Sequence, residues 1–185
     1  YAQKEVNDNS TLFDTHTIKF ETETNRTLLA FSNLGNCFKI DVSDFSESRY
    51  RDKGVPEEKM FKELDKGETI VALYDFEDTK TKQNLMFLTK FGMIKKTEFT
   101  EYALLKKYFQ GMKLKDGDEI ISIVKEPVTP YTVVLVSKTG MVLNADSGDI
   151  PLQGRISGGV KGINLATNDY CVGINLAGDG GEVVC

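Results

Sequence analysis

"TKFGMIKK", residues Thr89–Lys96, follows the apolar run "LMFL" and carries a glycine at its centre. The phrase returns as "SNLGNCFK" at Ser32–Lys39, after "LLAF", and as "SKTGMVLN" at Ser137–Asn144, after "VVLV". Aligned on Gly35, Gly92 and Gly140, the likeness extends outward. A hydroxyl residue precedes each turn (Ser32, Thr89, Ser137), and Phe45, Tyr102 and Ile150 stand ten residues beyond each glycine. Gly54, Gly111 and Gly159 stand nineteen beyond. Leu64, Leu114 and Leu165 come later, each three residues before Gly67, Gly117 or Asn168. An acid follows directly (Glu68, Asp118, Asp169), and then apolar segments resume as "TIVAL", "EIISI" and "YCVGI".

A period of about 50 residues with several short strands per unit predicts propeller-like repetition. One small sheet cannot bury both of its faces, whereas copies packed side by side can. Continuous apolar runs fit strands covered on both sides. Each central glycine falls between two strands, where a hairpin requires a residue at positive φ. The later Gly-Asp or Gly-Glu pair reads as a second turn. The alignment places Cys37 with Ile94 and Val142, and Cys171 with Ile70 and Ile120, so both thiols read as small buried apolar groups.

Helix is scarce. "PEEKMFKEL", Pro56–Leu64, predicts a short helix, with Pro56 at the first turn, Glu57 and Glu58 near the start, and Met60, Phe61 and Leu64 on one face. It occupies a place where the second copy has only three residues, so it is an insertion. "EYALLKKYF" fits either a turn of helix or an irregular arm.

With 185 residues, 40% of them hydrophobic and 28% charged, the chain is that of a folded domain and not of a disordered tail. No run approaches the ~18–20 apolar residues of a membrane helix, and the polar start "YAQKEVNDNS" is no secretory signal. A first residue of Tyr1 and an apolar "EVVC" at the end read as a piece of a longer chain. Cys37, Cys171 and Cys185 show no metal or redox spacing and suit a reducing cytoplasm. His16 has no Cys or carboxylate at motif spacing, and no nucleophile triad or phosphate loop stands out.

These in-register copies resemble the C-terminal domain of the A subunit of bacterial type IIA topoisomerases, DNA gyrase and topoisomerase IV. The resemblance rests on "LMFLTKFGMIKKTEFTEY…GMKLKDGDEIISIV", on "GRISGGVKGINL" (Gly154–Leu165), and on "NLGNCFKIDVSDFSESRYRDKG", which leans toward the topoisomerase IV branch. It covers nearly everything from about Leu28 on. The gyrase branch carries a short box of the form Q-R-R-G-G-K/R-G. The nearest stretch here, "QGRISGGVKG" (Gln153–Gly162), has extra residues between its parts and matches the ordinary blade segment better.

The resemblance implies an all-β, propeller-like β-pinwheel of about four four-stranded antiparallel blades that exchange strands with their neighbours. Repeats fall roughly at 28–83, 84–130 and 131–185, with residues 1–27 contributing to a further blade; "THTIKF" and "GEVVC" are strand candidates. It implies that duplex DNA bends around the outer rim without strong sequence preference, as part of an ATP-dependent enzyme of the bacterial cytoplasm and nucleoid. Catalytic residues, ATP and Mg would belong to other domains or to the B subunit of a heterotetramer, so no cofactor is expected in this segment.

Net charge is −5, which by itself argues against a nucleic-acid partner. The average conceals a contrast. Residues 84–115 hold seven lysines against Glu98 and Glu101, whereas residues 41–82 hold twelve acids against eight bases. Candidate DNA contacts lie at or beside the repeated turns. They are Arg49, Arg51 and Lys53 in the first copy; Lys90, Lys95, Lys96, Lys106, Lys107 and Lys113 in the second; and Lys138, Arg155 and Lys161 in the third. As strand neighbours, Lys95 and Lys96 point to opposite faces, so one of the two is expected to face DNA. The competing reading is a propeller-like scaffold for protein–protein interaction, which the negative net charge suits.

Overall fold

The computed structural model describes Ile18, residues 21–49 and residues 52–178. In the first copy β1 (Thr27–Ser32) and β2 (Asn36–Asp41) form a hairpin, and β3 (Ile70–Asp75) lies on the other side of β1. The second copy repeats this with β4 (Asn84–Thr89), β5 (Met93–Glu98) and β7 (Ile120–Lys125), and adds a short β6 (Tyr108–Gln110). The third has β8 (Thr132–Ser137), β9 (Val142–Asp146), β10 (Val160–Lys161) and β11 (Cys171–Ala177). The strand pairs are antiparallel, and the architecture is all-β, as the periodicity predicts.

The short strands do not stay at home. β6 pairs with β2 of the preceding copy, and β10 pairs with β5, giving sheet orders β3-β1-β2-β6 and β10-β5-β4-β7. The third sheet, β11-β8-β9, has no strand on the outer side of β9 among the described residues. This explains a departure from the repeat: Cys37 and Ile94 are buried beneath the borrowed strands, but the equivalent Val142 is 55% exposed. Of the strand candidate at 15–20 only Ile18 is described, partly buried against the core that holds Leu28 and Ile40, and the candidate at 181–185 lies outside the described residues.

Side-chain alternation holds the sheets face to face. Leu85 and Phe87 of β4 join a core with Leu29, Phe31 and Ala72 of the first sheet, while Met86 and Leu88 join a core with Val133 and Leu135 of the third. All four β4 side chains are fully buried. β1 behaves likewise, with Leu28 and Ala30 in a further core that includes Phe38 and Phe61. Phe31 sits edge-on to Tyr74, Phe87 and Tyr102, with ring centres 5.1–6.0 Å apart. Burial of one such ring contributes roughly 1.5–3 kcal/mol.

The repeated hydroxyl and the repeated acid prove to be partners. Thr89 donates to Asp118 at 2.6 Å and accepts from the Met93 amide at 3.1 Å, while Asp118 also accepts from the amides of Phe91 and Glu119. Ser32 and Glu68 repeat the bond, and Ser32 accepts from the Asn36 amide. In the third copy Asp169 accepts from Thr139, and this bonding, led by Ser137, holds its carboxyl below the usual aspartate range. The clamp ties each hairpin turn to the turn that launches the third strand of its sheet. Gly35, Gly92 and Gly140 all have positive φ, and so do Gly67, Gly117 and Asn168 at the second turn.

The predicted helix at 56–64 shrinks to α1 (Glu57–Met60). Phe61 leaves the helix to pack on Phe38, ring centres 5.5 Å apart, and so brief a helix has little stability of its own. "EYALLKKYF" is an arm: a 3-10 turn over Phe99–Tyr102, an irregular stretch, then β6.

Three outcomes follow, all measurable by urea unfolding. Thr89→Val should destabilise by roughly 1–3 kcal/mol, because buried Asp118 loses one of its three donors and the Met93 amide loses its acceptor. Gly140→Ala, where an added Cβ meets open space, should cost only the left-handed strain of about 1–2 kcal/mol. Gly35→Ala should cost more, since its Cβ would fall 2.5 Å from the Met112 carbonyl oxygen.

Candidate nucleic-acid interface

The structure divides the basic residues of the second copy by their offset from the turn. Lys95 lies three residues past Gly92 and is fully buried. Its ammonium donates to the carbonyls of Gly154 (3.1 Å) and Arg155 (2.7 Å) and sits 5.2 Å from the centre of the Phe87 ring. Lys95 is therefore removed from the exposed candidates: it straps the third copy's arm to β5. Burial pulls its pKa down to about 8; Glu101 opposes that and Arg155 reinforces it.

Lys96, one residue on, is spoken for as well. It pairs with Glu126 at 3.2 Å and donates to the Ser147 carbonyl, and its side chain is only 14% exposed. The first copy's Lys39, at the same offset, donates to the Leu104 carbonyl at 3.2 Å and rests 3.6 Å from the centre of the Phe76 ring. Lysines four residues past the turn thus hold the arm of the following copy. The matching offset of Lys39 and Lys96 was a readable signal for this role.

Lys106, Lys107 and Lys113 are exposed, and none of them forms an ion pair among the described residues. Lys106 and Lys107 ride on the arm before β6. Arg155 reaches that arm from the third copy, stacking 5.5 Å from the centre of the Phe109 ring and donating to the Gln110 carbonyl. Its own amide is held by Glu101. Acids of the first copy approach the far end of the arm: burial, then Glu68, Asp65 and Glu63, raise the pKa of Tyr108.

A second grouping lies at the seam of the second and third sheets. Lys90 and Lys138 stand 5.6 and 5.0 Å from the centre of the Tyr170 ring, and Lys90 also pairs with Glu119 at 3.3 Å. Cys171 donates its amide to the Lys90 carbonyl across the same seam. Tyr170 was not singled out by sequence, although its place directly after the clamp acid Asp169 marks it. Lys161 is exposed on β10, and Arg49 and Lys53 are exposed in the first copy. Arg51 lies outside the described residues, as do His16 and Cys185.

Cys37 and Cys171 are buried, and burial raises both thiols, Cys171 to about 11. No cluster of metal-ligating side chains occurs among the described residues, and no helix there is long and apolar enough to cross a membrane.

Known proteins share this geometry. The family described as the DNA gyrase C-terminal domain, a β-propeller, matches residues 26–56, 83–125 and 131–177. The chain is 30% identical over 163 residues to the A subunit of DNA topoisomerase 4 from Staphylococcus epidermidis, covering 87% of this chain and 20% of that protein. It is 29% identical over 162 residues to the A subunit of DNA gyrase from Ureaplasma parvum serovar 3, covering 87% of this chain and 19% of that protein. The crystal structure of the C-terminal domain of DNA topoisomerase IV superposes with a TM-score of 0.76 at 28% identity, over 84% of this chain and 48% of that one.

The Lys95 strap has a pH signature. With a folded pKa of about 8 against an ordinary 10.5, the unfolded chain binds the extra proton between these values. Stability therefore rises with pH across that window. Relative to Lys95→Met, the unfolding free energy should gain roughly 2 kcal/mol from about pH 7.5 to about pH 9.5. Taking the difference cancels the raised tyrosines and thiols, which act oppositely. Parallel stability curves for the two proteins would contradict the assignment.

Proposed function

Matched over three separate stretches, the chain belongs to the DNA gyrase C-terminal domain family, and from that membership we propose that it binds and bends duplex DNA without strong sequence preference. It spans about 20% of the topoisomerase A subunits it resembles, so the enzyme around it is part of the proposal. In this reading the whole chain is one β-pinwheel unit, with repeats near 28–83, 84–130 and 131–185 and residues 1–27 adding to a further blade. The unit serves as the accessory domain of a type IIA topoisomerase and guides DNA for ATP-dependent strand passage. The A-subunit core and a B subunit supply catalysis, ATP and Mg, in the bacterial cytoplasm and nucleoid.

Family membership carries the reading, and the charge distribution supports it. Duplex DNA is bound largely through release of its condensed counterions, which requires lysines free of internal partners. Lys106, Lys107 and Lys113 meet that condition, Lys161 extends it to the third copy, where Lys138 stands exposed beside the Tyr170 ring, and Arg49 and Lys53 extend it to the first. Lys90 keeps a share of its charge beyond Glu119, and Arg155 stiffens the arm that carries Lys106 and Lys107. The acidic surroundings of the first copy make that contact uneven around the rim.

A gel-shift salt titration with random-sequence duplex tests this. If about five phosphates are neutralised, log affinity should fall with log salt at a slope of about −4 to −5. Reversing Lys106 and Lys107 to Glu should weaken binding and flatten the slope by about 2. A protein-interaction scaffold would ignore the duplex at every salt concentration, and that result would overturn the proposal.

A further inference from the structure

Directly before the arm's two lysines in the chain stands a side chain that the lysine count does not use. Leu105 is 97% exposed, and no other large apolar side chain among the described residues is more so. Its position is not loose. Leu104 packs against the core and its carbonyl accepts from Lys39 Nζ at 3.2 Å. The Lys107 carbonyl accepts from the Lys39 amide at 2.7 Å, and the Tyr108 ring lies 5.1 Å from that of Phe38. The tip, Leu105–Lys106, is thus held on both sides and pushed into solvent. Counted from the hairpin glycine, the equivalent positions are Ser48 and Gln153. Counted back from the exchanged strand, where Phe109 matches Val160, the third copy's equivalent is Ile156, which is 52% exposed against 97% for Leu105.

The surroundings narrow what this tip meets. Leu105, Tyr108 and Ile156 line a shallow groove of about 670 Å³, edged by Lys106 and Arg155. An apolar point with cations beside it matches a partner whose outside is anionic and whose interior is an apolar stack. Duplex DNA has that construction, and leucine wedges inserted at base steps unstack and kink it.

Resting on the DNA-binding reading above, we propose that Leu105 is a wedge that inserts between adjacent base pairs of the bound duplex, with Lys106 and Lys107 gripping the flanking phosphates. Leu105 stands further into solvent than Leu152 or Ile156 of the third copy's arm, so bending is sharpest at the second copy.

The test uses the 185-residue chain and a duplex of about 30 base pairs. The duplex carries 2-aminopurine at a central TA step, which unstacks most readily, and a donor–acceptor pair on its ends. Wild-type binding should raise 2-aminopurine fluorescence and shorten the end-to-end distance. Leu105→Ala should bind within about threefold of wild type yet lose both signals, and Leu105→Phe should keep them. Circular dichroism confirms that each variant is folded. Retention of both signals in Leu105→Ala, or their absence in wild type that still binds in a salt-dependent way, would overturn the wedge while leaving DNA binding intact. Absence of salt-dependent binding would overturn both. Sedimentation covers a further outcome: if Leu105→Ala only converts a dimer to a monomer, the tip meets a second copy, and the wedge is rejected.

Discussion

The structure depends on strands that are buried on both faces. In β4, Leu85 and Phe87 point into one core and Met86 and Leu88 into another, and each core is completed by a different neighbouring sheet. A sheet built around such a strand cannot stand alone, because one of its apolar faces would meet water. Neighbouring copies of the motif supply the cover. Strand exchange follows the same logic: β6 and β10 leave their own copies and cover the outer sides of β2 and β5, above Cys37 and Ile94.

Polar chemistry then fixes what apolar packing leaves adjustable. Hydrophobic contact is tolerant of small slips, but Thr89 and Asp118 accept only one arrangement in which every buried donor and acceptor is matched. The bond recurs between Ser32 and Glu68, so register is set at each turn and not once for the domain. Lysines three and four residues past the turn extend this upward, since Lys39, Lys95 and Lys96 direct their ammonium groups at the next copy's backbone carbonyls.

That division of labour shapes the electrostatics. A lysine-rich segment loses part of its surface charge to internal strapping, and what remains free stands on the arm before β6, at Lys106 and Lys107, and just after β6, at Lys113. The arm is a borrowed element, docked on one copy and encoded by the next. Its cations are consequently displaced toward the preceding sheet, whose own acids lie close to Tyr108. The arm thus forms a positive feature against a negative background, although the net charge of the chain is −5.

The sequence by itself determined the repeat, the hairpin glycines, the all-β class and the buried thiols, because each rests on local spacing that recurs three times. It also held both halves of the clamp, Thr89 and Asp118, without revealing that they touch. Tertiary structure decided which strands are exchanged, that Val142 stays uncovered where Cys37 and Ile94 do not, and that Pro56–Leu64 yields only one turn of helix. It also decided the fate of the lysines. Lys95 and Lys106 are the same residue type in one basic segment, yet one is sealed against Phe87 and the other stands in water. Charge is written in the sequence, but its availability depends on which carbonyls and rings the fold brings within reach, and those come from a neighbouring repeat.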